Sequence, residues 1–180
     1  MRISCKLIYF VVAVLILAAT AFSQTSGDQF KTAVASFQRS ATNENALKVI
    51  ELFKQLDPPP AVPEEAREPF VMANTMLKKA SDASNAAKAV ESYDKAIYLA
   101  PWWADAYFNR ALARETAGQF DKAIDDLKLY LAFKLTDAER REAQDKVYSL
   151  KAEAEMSASR NAKAAEVAAI DAKARLFEGD

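Results

Sequence analysis

The chain has 180 residues, 24 Lys and Arg against 25 Asp and Glu, no histidine and a single cysteine, Cys5. A chain so close to neutral lacks the positive field that draws nucleic acid, and without histidine it has no Ser-His-Asp triad, no Cys-His pair and no zinc site built on His or Cys. Only three glycines occur, and Ala, Leu, Lys and Glu dominate, which favours helix over sheet and leaves no glycine-rich phosphate loop. The reading is all-α, with no cofactor and no metal.

The N-terminus carries Arg2 and Lys6, then an uncharged apolar run from Leu7 to Ala19, then small residues that include Ala19, Ala21 and Ser23. This pattern reads as a secretory signal peptide over residues 1–23. Cleavage fits after Ala21 or after Ser23, and the second register is preferred, starting the mature chain at Gln24. The alternative is a retained anchor, but Leu7 to Phe22 is 16 residues against the roughly 20 that a bilayer core requires. Cys5 precedes the apolar run, whereas a lipidated cysteine would follow it, so no lipid is expected. Removal of residues 1–23 leaves 22 basic and 25 acidic residues, a net charge of −3, and no cysteine, so packing alone must hold the fold. The expected location is the bacterial periplasm or the cell exterior, from the compact signal and the absence of any Asn-x-Ser/Thr site. A retained segment would instead anchor the chain in the inner membrane, facing the periplasm.

From residue 24 onward a repeat organises the chain. Ala89, Tyr93, Ala96 and Leu99 recur 34 residues later as Ala123, Leu127, Tyr130 and Phe133, a period that belongs to stacked helix pairs. The same positions reach back 43 residues to Ala46, Ile50, Phe53 and Leu56. The nine additional residues fall at Pro58-Pro59-Pro60-Ala61-Val62-Pro63, where prolines stop a helix and stiffen the connection. First helices align as well: Phe30, Val34 and Phe37 match Ala73, Leu77 and Ala80, and Ala73 and Leu77 match Tyr107 and Ala111. The predicted segments are a weak helix pair over 24–60, a pair that includes the proline-rich insertion over 61–103, and a clear pair over 104–137.

At these residues the chain resembles the tetratricopeptide repeat family. The fullest copy is Ala104 to Lys134, where Tyr107, Ala111, Gly118, Phe120, Ala123, Leu127 and Tyr130 follow the family's order of large and small side chains. The resemblance implies an α-solenoid of about three antiparallel helix pairs followed by a long C-terminal capping helix. Ala111 and Ala123 would face each other where the helices approach most closely, Gly118 would adopt the left-handed conformation that ends the first helix, and Tyr107, Leu127 and Tyr130 would fill the space between helices. It also implies that the first helix of each pair lines a concave groove, presenting Val71, Asn74 and Lys78, then Asp105, Phe108, Asn109, Leu112 and Glu115. Such a mixed strip suits an extended peptide or a partner helix, with Asn109 on the ligand main chain, Lys78 on a carboxylate, and Phe108 with Leu112 seating an apolar side chain. The family's carboxylate clamp does not carry over. Lys31 fits its first place, but Ala35, Thr75 and Asp105 stand where it requires Asn, Asn and Lys.

Trp102 and Trp103 follow Pro101 at a turn between repeats. Adjacent residues entering a helix rarely bury together, so one is a candidate exposed anchor; the alternative is that both cover the seam. The acid pairs Glu64-Glu65 and Asp125-Asp126 are explained by dipole placement after Pro63 and by surface solvation, and no catalytic residue is assigned. Thr136-Asp137-Ala138-Glu139 forms a capping box ahead of a capping segment over 138–180, in which Ala143, Val147, Leu150 and Ala154 make an apolar stripe. From Ala152 to Ala174, 10 of 23 residues are alanine. An unbroken helix from Asp137 to Phe177 would reach roughly 60 Å and could offer Val167, Ile170, Ala174 and Phe177 as a second contact surface, but a frayed, solvated tail is the expectation.

Together these features describe an exported, non-catalytic adaptor or scaffold that binds a protein or peptide, with no nucleic acid and with membrane contact only through a retained N-terminal segment. The alternative is a self-assembling or envelope-anchored structural component acting through its C-terminal helix or that retained segment.

Overall fold

The computed structural model describes residues 26–177, with side chains as far as 173, and among these residues it is helical with no strand. Helix α1 covers 26–39. It is followed by α2 (Asn43–Phe53), α3 (Glu64–Lys78), α4 (Ala83–Leu99), α5 (Ala104–Thr116), α6 (Phe120–Leu131) and α7 (Asp137–Phe177). Each predicted segment thus contains two helices, and the last contains one. The signal-peptide reading falls on residues 1–23, outside the described residues. Among the described residues no helix is long and apolar enough to cross a membrane.

Three helices start on side-chain caps. Thr42 accepts from the Asn45 N–H at α2 and Asp82 from the Asn85 N–H at α4, each satisfying one of the free donors at a helix start. Thr136 and Glu139 cap α7 reciprocally: Glu139 N–H donates to Thr136 Oγ1, and Thr136 N–H donates to Glu139 Oε2 at 2.8 Å, the box expected from the sequence. Helix α3 instead begins directly after Pro63, with Glu64 and Glu65 in its first turn. Between α5 and α6, Gly118 has φ +71°. Its N–H donates to the Glu115 carbonyl, and the Gln119 N–H donates to the Arg114 carbonyl at 2.8 Å. This bond pair closes a helix end through one left-handed residue, where glycine carries no Cβ penalty.

From α3 to α7 the helices stack in chain order, each against the next. This is a helical repeat arrangement of the α-solenoid kind. Ala111 and Ala123 are fully buried between α5 and α6, and Tyr93, Tyr107 and Leu127 are completely covered. Ala143, Val147 and Leu150 bury one face of the first part of α7 against the preceding helices.

The first pair departs from simple stacking. The insertion makes the α2–α3 connection ten residues long, 54–63, and α2 packs on α6. Phe37 of α1 and Ala46 of α2 share a cavity wall with Ile97 of α4 and Leu129 of α6, so the pair lies over the later repeats. A ten-residue connection can reach at most about 33–36 Å, which lets the chain cross from the end of α2 to the start of α3. Two exposed hydrogen bonds accompany this docking, Gln38 Nε2 to the Tyr98 carbonyl and Lys54 Nζ to the Ala132 carbonyl. They are not its main support. Each contributes about 1 kcal/mol, whereas Val49 and Ile50 are completely buried at about 1.5–3 kcal/mol apiece.

Helix α7 continues as one helix through Phe177, so the expected frayed tail is helical. Beyond Leu150 its described side chains are exposed or half-exposed, among them Met156, Val167 and Ile170. Its high alanine content explains helix without packing. The side chains of Ala174 and Phe177, named for a second contact surface, lie outside those described.

Candidate functional site

The first helices of the pairs, α3 and α5, meet through side-chain amides. Asn109 Nδ2 on α5 donates to Asn74 Oδ1 on α3 at 3.1 Å, and the Tyr93 hydroxyl of α4 donates to the same oxygen at 2.6 Å. Tyr93 is fully buried, and burial pushes its phenol up to about 12, so it remains a donor throughout the physiological range. The arrangement fixes both amides. It leaves the Asn74 amide hydrogens and the Asn109 side-chain carbonyl without a partner among the described residues. A free amide donor and a free amide carbonyl are the two kinds of group that pair with the C=O and N–H of an extended main chain. The sequence pointed to Asn109 for this task and left Asn74 without an assigned role; the pairing comes from the fold.

The remaining groove candidates divide by environment. Lys78 and Asp105 are exposed, and no ion pair holds either among the described residues. Leu112 is half-buried, and Val71 is open to solvent. Phe108 packs on Tyr130, with ring centroids 5.0 Å apart, so only part of its surface is free. Glu115 is engaged: Lys146 of α7 reaches both its oxygens at 3.0 and 3.1 Å. That pair ties α5 to α7, a contact the sequence did not reveal because Lys146 lies 31 residues away.

Of the two readings for the tryptophans, the structure has the one in which both cover a seam and neither is an exposed anchor. Trp102 packs edge-on against Phe30 at 5.2 Å and Trp103 lies over Phe70 at 4.1 Å. Both are half-buried in seams, one facing α1 and one facing α3. They can bury together because the docked first pair supplies a second surface.

The reading of Asp126 is corrected. The sequence placed it on the solvated face of a helix, yet its side chain is 1% exposed. Arg110 grips it with two bonds, Nη2 to Oδ1 at 2.5 Å and Nε to Oδ2 at 2.9 Å, and Arg114 Nη1 adds a contact at 2.7 Å. Arg110 also meets Asp94 of α4 at 2.7 Å. Burial pushes the Asp126 carboxyl up while the two guanidiniums pull it back. Two cations face two anions, so the cluster is a neutral clasp joining α4, α5 and α6. A sequence signal existed: Asp126 follows Ala123 by three and precedes Tyr130 by four, inside the apolar stripe, and Arg110 and Arg114 are one helical turn apart.

Among the described residues, no group of three or more His, Cys, Asp or Glu is placed to hold a metal. A scan against protein-family models finds none that matches this chain, and a search of curated proteins finds no match.

Proposed function

We propose that this chain is an exported, non-catalytic adaptor of the tetratricopeptide repeat type, which binds a protein or peptide segment along the face carrying α3 and α5. The observation behind this reading is the Asn74–Asn109 bridge, which presents a free donor and a free acceptor on a rigid helical pair. Lys78 and Asp105 would set the polarity of the bound segment, and Leu112 with the free part of Phe108 would receive an apolar side chain. Preorganised amides lower the ordering cost of association. The lack of histidine, of cysteine beyond Cys5 and of a phosphate loop supports the non-catalytic part.

The test is a photo-crosslinking residue at Leu112 in the exported protein, with a matched probe at Lys173. Capture of one discrete foreign protein from Leu112 alone is the expected result. A second reading draws on α7, whose exposed Met156, Val167 and Ile170 would serve self-assembly. Capture of the chain itself, or capture from Lys173 alone, would replace the first reading with this one.

A further inference from the structure

Three connections of the fold, α2–α3, α4–α5 and α6–α7, border a cavity of about 480 Å³. Its walls come from the end of α2, the proline segment, the α4–α5 turn and the α6–α7 turn, elements that only the docking of the first pair brings together. Phe53, Trp102, Trp103 and Phe133 give it aromatic sides, and Pro59 with Pro60 closes another. Its charged lining consists of two lysines, Lys54 and Lys134, with no acidic side chain. Lys54 is held by one bond to the Ala132 carbonyl at 2.9 Å, and Lys134 has no partner among the described residues.

We propose that this cavity binds a small amphipathic carboxylate, its apolar body among the aromatic rings and its head between Lys54 and Lys134. The volume falls within the range of about 300–1,000 Å³ typical of small-molecule sites. Rigid rings and prolines offer apolar contact at little cost in ordering. An ammonium beside low-polarity walls attracts an anion more strongly than one in bulk water, and Lys134 has all three donors free for it. Two lysines without a carboxylate select against a cationic head. The site is separate from the α3–α5 face and does not depend on peptide binding there.

The two tryptophans of the chain both line this cavity, so the intrinsic fluorescence of the full chain reports on it without a label. Decanoate is titrated into the protein below its micelle concentration, with decanol and decyltrimethylammonium as uncharged and cationic counterparts. Decanoate should give a saturable change. Decanol should bind at least about tenfold more weakly, as should decanoate to Lys134→Gln, because each loses a charge-assisted contact. Lys54→Gln provides a second variant at an exposed position, and Lys163→Gln, on the exposed part of α7, should leave the titration unchanged. The proposal is overturned by the absence of a saturable change, by equal binding of decanol or of the ammonium, or by unaltered decanoate binding in both cavity variants.

Discussion

Asn109 and Asn74 are joined across 3.1 Å between α5 and α3, and the oxygen they share is also bound by the Tyr93 hydroxyl of α4. Three helices thereby converge on one acceptor. The two amides are held by the fold itself, so a segment bound at the proposed face would meet a donor and an acceptor already in place.

Asn109→Ala should separate binding from stability. Tyr93 still satisfies Asn74 Oδ1 in that variant, so the loss should be about 1 kcal/mol, read by urea denaturation. Crosslinking from Leu112 should fall severalfold at equal protein level. Undiminished capture would remove the amide pair from the proposed site.

The acids of the Asp125-Asp126 pair should behave oppositely. Asp126→Ala leaves two largely buried guanidiniums without their shared carboxylate and should cost about 3–5 kcal/mol. Asp125 makes only a surface pair with Lys128 at 2.9 Å, and Asp125→Ala should cost less than about 1 kcal/mol. Denaturation midpoints of the two variants check the contrast, and equal losses would contradict the clasp.

Ala123→Arg should unfold the stack. The site is completely buried, so a long side chain there overpacks the α5–α6 contact at about 1–3 kcal/mol and buries a charge in addition. A thermal melt unchanged from the parent chain would refute the repeat register.

The α7 cap should weaken in acid. Bonds from the Thr136 hydroxyl and N–H favour the ionised Glu139 carboxylate and hold it below its ordinary value of 4.5. A depressed folded value means that the stabilisation is present above the unfolded value and is lost as pH falls through the folded one. Protection of the first α7 amides, taken relative to the unstructured chain at the same pH, should therefore fall as the pH drops through the folded Glu139 value. In Thr136→Val, a carboxyl titration followed by NMR should bring Glu139 back toward its ordinary value.

The sequence by itself determined the local structure. The 34-residue recurrence located the helix pairs, Gly118 marked the left-handed turn, Thr136 and Glu139 marked the start of α7, and Ala143, Val147 and Leu150 marked its buried face. These signals are legible because caps, turns and helical periodicity act over a few residues. Tertiary structure alone decided which faces meet. Periodicity shows that Val49 and Ile50 of α2 need cover but not that α6 lies beneath that helix, and the proline insertion supplies the length for this crossing without naming its destination. The same limit hid the environment of Asp126, the partners of the two tryptophans and the cavity they line. In each case the deciding neighbour comes from another helix or connection, and burial is rewarded without regard to distance along the chain.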